Sequence, residues 1–374
     1  MALSGGGRIA LSTKARVRRS ELLSPGDFRT LLEQPSVSAI AVSLDATPYK
    51  HTLEGLSLND IRRTELEFYL GTAVLREALE FRSYMGTDYR RLLNLWLEVY
   101  DIEFFKDHFR VTFGSDLSAD RQHDRVLGTL PGFKLTLLDR DALLAARTPK
   151  AMLASIRNER LRSALNETLP LKEDGAELSR DEVCSASFAL GMTLDRYYFD
   201  HLYRAVLSVG GMESRLLARL VGVYLDLINL YGIYRGRRFF GLSPEQALAT
   251  VTQSRYRADF NLLTRAAFSE NPALDDVLKD TPYSGLFRSD EEDSGLRESE
   301  IELHVYRTLS HVAGEMFRSG APGFHNVGAY LMLKGFEVRD LITIIEAVRY
   351  GYDRRRVGRL LILNDLSGEE GGGR

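Results

Sequence analysis

Three stretches of this 374-residue chain repeat one pattern: an acidic residue, an apolar residue, a spacer, an apolar run and a terminal charge. They are Asp101-Ile102-Glu103-Phe104-Phe105 running to Arg110, Asp226-Leu227-Ile228-Asn229-Leu230 running to Arg235, and Glu337-Val338-Arg339-Asp340-Leu341 running on to Arg349. Their starts lie roughly 110 to 125 residues apart, about one domain length each, so the chain is expected to be built from copies of one unit. A second marker precedes each stretch by roughly 32 to 36 residues, a spacing that suits a hairpin of two helices. It reads Glu65-Leu66-Glu67-Phe68-Tyr69, Leu194-Asp195-Arg196-Tyr197-Tyr198 and Glu302-Leu303-His304-Val305-Tyr306. A third marker, Thr47-Pro48-Tyr49, returns as Thr281-Pro282-Tyr283, each after a proline that could open a helix, Pro35 and Pro272; the middle copy keeps only Thr148-Pro149. These markers divide the chain into units 1–118, 119–241 and 242–374, the last containing an acidic loop at 289–300.

The units are helical in pattern. After Asn59 and Asp60, read as caps, Leu66, Leu70, Val74, Ala78 and Phe81 recur at three- and four-residue steps. Leu92, Leu95, Val99 and Ile102 make a second stripe. Ser38 to Leu44 alternates like a strand, but Ala39 and Ala41 on its other side favour helix. With 10 prolines, no Asn-Gly and one Asp-Gly, at Asp174-Gly175, hairpin turn signals are nearly missing. An all-α fold follows. Gly241-Leu242-Ser243-Pro244-Glu245 places Ser243 as an N-cap with Pro244 at the first helical position, Val209-Gly210-Gly211 reads as a helix end, and the Gly-rich ends read as frayed tails.

Charge and composition narrow the function classes. The 49 basic and 52 acidic residues nearly balance, so no nucleic-acid partner is expected. The single Cys184 cannot form an internal disulfide or a multi-Cys zinc site and suits a reducing, cytoplasmic compartment. Leu216 to Tyr234 is the most apolar long stretch, yet it carries Arg219, Asp226 and Asn229, and each charge at bilayer depth costs about 2.5–3.5 kcal/mol. It is expected to be a buried helix.

No catalytic, cofactor or metal site emerges. His304, His311 and Glu315 share a helix face, but the paired Glu-x-x-His motifs of di-metal bundles do not occur. Asp275, Asp276 and Asp280 are similar to an aspartate-rich magnesium motif without a second acidic cluster, which leaves a magnesium-dependent helical enzyme as a distant alternative. No Gly-rich loop precedes Lys-Ser or Lys-Thr, so no P-loop is present. The interaction candidates are instead the acidic-to-Arg helices: Asp101, Arg110, Asp226, Asn229, Arg235, Glu337, Asp340 and Arg349. Their charges either line a partner surface or pair within the units. Arg354, Arg355, Arg356 and Arg359, with Lys14, Arg16, Arg18 and Arg19, could meet anionic lipid head groups.

Across nearly its whole length the chain resembles the C/d family of central-stalk proteins of V-type ATPases, the C form being archaeal and bacterial and the d form eukaryotic. The resemblance rests on Leu22-Leu23-Ser24-Pro25 with Leu31-Leu32-Glu33, Thr47-Pro48-Tyr49, Tyr100-Asp101-Ile102, the run from Asp226 through Arg235 to Glu245, and Ala329-Tyr330-Leu331 with Lys334 and Glu337 to Leu341. The family's usual Asn falls at Asn229, with Phe104 and Asp340 in the other copies, and Glu346 stands where the earlier units have Arg110 and Arg235. The long opening of the eukaryotic form is missing, which points to the prokaryotic type. The resemblance implies three similar helical domains in a pseudo-threefold funnel, with its base on the c-type ring in the membrane and its cavity around the rotor axle that the D and F proteins build. It also implies a peripheral, non-catalytic rotor part on the inner membrane face that transmits torque for proton or sodium transport. A helical scaffold without rotary partners is the other alternative.

Overall fold

The computed structural model of the chain describes residues 5–113, 136–168, 179–271, 274–287, 298–364 and 366. Ser115 to Asp120, Asp174-Gly175, Pro272 and the acidic stretch Ser289 to Gly295 lie outside them. Among the described residues there are seventeen α-helices and no strand, only an isolated bridge between Leu138 and Ile156. The chain divides into two compact units, one of residues up to Tyr89 and from Glu302 onward, the other from Arg90 to Ile301.

The first unit is built on one helix. It contains α1 (Gly5–Ser20), α2 (Pro25–Leu32), α3 (Val37–Leu44), α4 (Lys50–Leu53) and α5 (Arg63–Ser83), and near the C-terminus most of α15 (Glu298–Met316), α16 (Phe324–Tyr350) and α17 (Arg354–Gly358). Helix α16 is buried on nearly every side, from Phe324 and Val327 through Leu331 and Phe336 to Ile344 and Ile345, because α1, α2, α3, α5 and α17 all pack on it. Its buried polar residues, Asn326, Lys334, Glu337 and Asp340 among them, are each hydrogen-bonded within the unit. Each fully buried Leu or Phe contributes about 1.5–3 kcal/mol relative to exposure. Helix α1 is held there by Leu11 and Ala15, both fully buried, and by Ser12, whose Oγ accepts from Gly323 N at 2.7 Å and Asn326 Nδ2 at 3.2 Å. Gly5 to Gly7 accordingly begin a helix, where the composition suggested a frayed tail.

Two local expectations change. The strand-like alternation at 38–44 is helix α3, capped by Ser36 rather than opened by Pro35, with Ile40, Ala41 and Leu44 inward and Val42 47% exposed. Asn59 and Asp60 sit in a single 3₁₀ turn, and Arg62 occupies the N-cap position of α5, so neither caps that helix.

The second unit holds most of α6 (Thr87–Phe113), with α7 (Arg140–Ala145), α8 (Pro149–Ala154), α9 (Glu159–Thr168), α10 (Arg180–Val209), α11 (Gly211–Arg238), α12 (Pro244–Ala249), α13 (Phe260–Phe268) and α14 (Asp275–Leu278). Helices α10 and α11 form a hairpin that turns at Gly210, whose φ of 77° lies in the region open to glycine. Helix α11 contains the apolar stretch Leu216 to Tyr234; it is long and apolar enough to cross a membrane, but 72% of its most apolar window is buried inside the protein. A Cβ on Gly222 would lie 2.5 Å from the Tyr256 ring, so glycine there lets the following loop lie against α11. Helix α12 begins with the expected Ser243 cap and Pro244, and Gln246 completes a capping box.

Candidate functional site

The acidic residues that open the three repeats are all buried, and each clasps a returning segment. Asp226, on α11, accepts from Tyr256 N at 3.3 Å, Arg257 N at 2.7 Å and Ala258 N at 2.9 Å, immediately before Asp259 caps α13. Asp101, on α6, accepts from Thr136 N at 2.7 Å and Leu137 N at 2.8 Å, just before Asp139 caps α7. Glu337, on α16, accepts from Leu23 N at 2.5 Å, one residue before Ser24 caps α2. One device thus recurs three times: an acid in a long core helix fixes the backbone leading into a short capped helix.

The tyrosines of the Thr-Pro-Tyr marker complete two of these clasps. Tyr283 donates its hydroxyl to Asp226 at 2.6 Å, and Tyr49 donates to Glu337 at 2.8 Å. The two tripeptides have the same internal geometry. Thr47 donates to Leu44 O and accepts from Tyr49 N, and Thr281 does the same with Leu278 O and Tyr283 N. Thr148-Pro149 is a different object, an N-cap threonine with proline at the first position of α8, and so is not a third copy of the marker.

The charges of these sites follow from burial. Loss of solvent pushes Asp101 up to about 6 even though the Thr136 and Leu137 amides oppose the shift, and it raises Asp226 and the Tyr283 phenol too. Glu98, one turn before Asp101, is pushed to about 7 by burial and by the Asp101 charge. Beside Glu337, Lys334 Nζ, nearly sealed from water, lies 2.8 Å from the carboxylate, 3.7 Å from Glu77 and 3.8 Å from the centre of the Tyr49 ring. The repeat acids are therefore satisfied chiefly by backbone amides, tyrosines and, in one case, a lysine, not by the arginines that end their own helices.

Those arginines sit elsewhere. Arg110 is exposed and pairs with Asp107. Arg235 lies over three rings, Phe188, Tyr231 and Phe240, at 5.4–5.8 Å. Arg349 is exposed on the last turn of α16. The position three residues after each acid varies in job. Asn229 exchanges hydrogen bonds with Thr252, at 2.8 and 2.9 Å; Asp340 accepts from Ile362 N at 2.7 Å and Leu363 N at 2.9 Å; Phe104 is core. Burial pushes Asp340 up to about 7. Asn229 and Asp340 thus pin the segment that follows a short helix, α12 in one case and α17 in the other.

Sequence reasoning passed over Asp200, which is buried on α10 and accepts from Gln253 N and Ser254 N at 3.0 and 2.7 Å. Its signal is an acid flanked one turn away on either side by Arg196 and Arg204 on α10. It also gave no role to Tyr49 and Tyr283, though it marked both. The weaker metal candidates remain scattered: His311 and Arg318 both pair with Glu315, and Asp276 accepts from Asn271. Among the described residues no three His, Cys, Asp or Glu side chains are placed to hold a metal ion. Acids whose lone pairs are spent on the protein's own amides are suited to fixing a scaffold rather than attacking a substrate.

No curated protein matched the chain. The family model of the ATP synthase (C/AC39) subunit matches residues 11–360, a span that takes in all three clasped acids and both tyrosine markers, and the chain belongs to that family of V/A-type ATPase subunits.

Proposed function

We propose that the chain is the non-catalytic central-stalk component of a rotary ATPase, joining the rotor axle of the D and F proteins to the c-type membrane ring and carrying torque between them. The observation that carries this reading is the family match over residues 11–360, in a chain whose buried acids brace its helices. A coupling part must be stiff, and hydrogen bonds to charged groups contribute about 1.5–3 kcal/mol each, so repeated clasps suit such a part. We further propose that the repeat unit is offset from the 1–118, 119–241 and 242–374 division, so that the segment from Leu23 to Tyr49 completes the last copy. Its support is the position of Leu23 and Tyr49 on Glu337, matching Ala258 and Tyr283 on Asp226.

A peripheral place on the inner membrane face fits the end of α16. Tyr350 and Tyr352, 59% and 60% exposed, stand beside exposed Arg349, Arg354, Arg355, Arg356 and Arg359. The test of the whole reading is affinity capture of the tagged chain from native membranes at low salt. Recovery of the axle and ring proteins is expected; their absence, with the chain folded and abundant, would refute it.

A further inference from the structure

The second unit carries a groove of about 710 Å³ between the start of α9 and the middle of α10, bounded also by Gln253, and none of the three clasped repeat acids lines it. Its lining brings together three guanidinium groups, Arg160, Arg196 and Arg204, and the His201 imidazole. Two carboxylates oppose them. Asp200 is buried and already accepts two backbone amides, Gln253 N and Ser254 N, while Glu159 is exposed in the first turn of α9. Arg196 gives one Nη–H to Ala249 O at 3.2 Å and Arg204 gives Nε–H to Asp200 O at 2.9 Å, which steadies each fork and leaves most of its donors for a ligand. One wall is fixed as well. The Tyr197 hydroxyl accepts from Asn158 Nδ2 at 2.9 Å, its ring lies 4.2 Å from that of His201, and His201 Nδ1 donates to Tyr197 O at 2.8 Å, which holds the two rings together.

We propose that this groove binds a small molecule carrying at least two phosphate groups. Guanidinium forks match phosphate oxygens two at a time, and Arg196 and Arg204 leave α10 eight residues apart, about 12 Å along its axis, a spacing that two phosphate groups bridge better than one. The volume lies within the range of about 300–1,000 Å³ found for small-molecule sites. The assignment is independent of the stalk role.

The test is titration calorimetry of the full chain with inorganic pyrophosphate at low ionic strength. A saturable site with Kd below about 1 mM is expected. The double variant Arg160→Gln/Arg204→Gln should bind at least about tenfold more weakly, since each lost charge-assisted contact is a factor of that order. Arg160 and Arg204 are both exposed, so an unchanged thermal unfolding midpoint verifies that the variant is folded. Arg355→Gln/Arg356→Gln removes equal charge outside the groove and should leave pyrophosphate affinity unaltered. Displacement of pyrophosphate by ATP would assign a soluble ligand, and displacement by cardiolipin vesicles a lipid headgroup; either supports a diphosphate site. No saturable heat with pyrophosphate, undiminished affinity in the groove variant, or an equal loss in the control variant overturns the proposal.

Discussion

Removing the Tyr49 hydroxyl should weaken the protein through Glu337, 288 residues away in the chain. Tyr49→Phe deletes one donor to a buried carboxylate while keeping the ring against Lys334, so the expected loss is about 1.5–3 kcal/mol. Glu337→Gln retains an oxygen for Leu23 N but takes away the charge opposite Lys334, whose remaining acidic neighbour, Glu77, is 3.7 Å distant. Breaking a buried pair in this way costs about 3–5 kcal/mol. The double variant should be more stable than the sum of the two losses implies, because the Tyr49 bond cannot be lost twice; a coupling of about 1–2 kcal/mol is expected within the usual range for residues in contact. Urea denaturation of the four proteins gives the cycle, and hydrogen exchange at the Leu23 amide gives an independent reading, with faster exchange in Glu337→Gln because a neutral amide oxygen replaces the charged acceptor. Losses that add to within about 0.5 kcal/mol, or unchanged Leu23 protection, would refute the clasp.

Other expectations can be checked separately. Asp340 has a folded pKa of about 7 against an ordinary value of 3.8, so its contribution to stability is fullest below about pH 4 and is lost as pH rises through 7. In Asp340→Asn, the difference in unfolding free energy from the parent should therefore change across that window and level off above it, as read by denaturation at a series of pH values. Gly222→Ala puts a methyl into the Tyr256 ring and should cost about 1–3 kcal/mol by pushing residues 256–258 off Asp226, whereas exposed Arg349→Ala should stay within about 0.5 kcal/mol. If α16 ends at an anionic membrane surface, Arg355→Gln/Arg356→Gln should lower partitioning onto phosphatidylglycerol vesicles roughly 30-fold at low salt, by about 1 kcal/mol per arginine.

The fold class and the three acids were legible because helix periodicity and a repeated local pattern are properties of neighbouring residues. Asp101, Asp226 and Glu337 stand at the same place in their stretches, and each is buried in a long helix. Their partners were not legible. Leu23 and Tyr49 reach Glu337 across 314 and 288 residues, and nothing local says that the first residues of the chain close its last helix pair. The sequence also suggested acid-arginine pairing, since opposite charges one helix length apart look complementary; burial instead favours backbone amides, which satisfy a carboxylate without desolvating a second charge. Thr148-Pro149 misled for a related reason, because a Thr-Pro pair suits both a helix start and the hydroxyl-bridged turn before Tyr49 and Tyr283. Asp200 escaped notice because it lies in no repeated motif, and only its loop partners reveal its role.

The stalk role is tested most directly by ATP-driven ion uptake into membrane vesicles whose ATPase has been stripped of this protein. Adding the purified chain should restore pumping in proportion to the amount rebound, with little change in the catalytic sites' own ATP hydrolysis. Full pumping in its absence, or rebinding that leaves hydrolysis and transport unlinked, would contradict it.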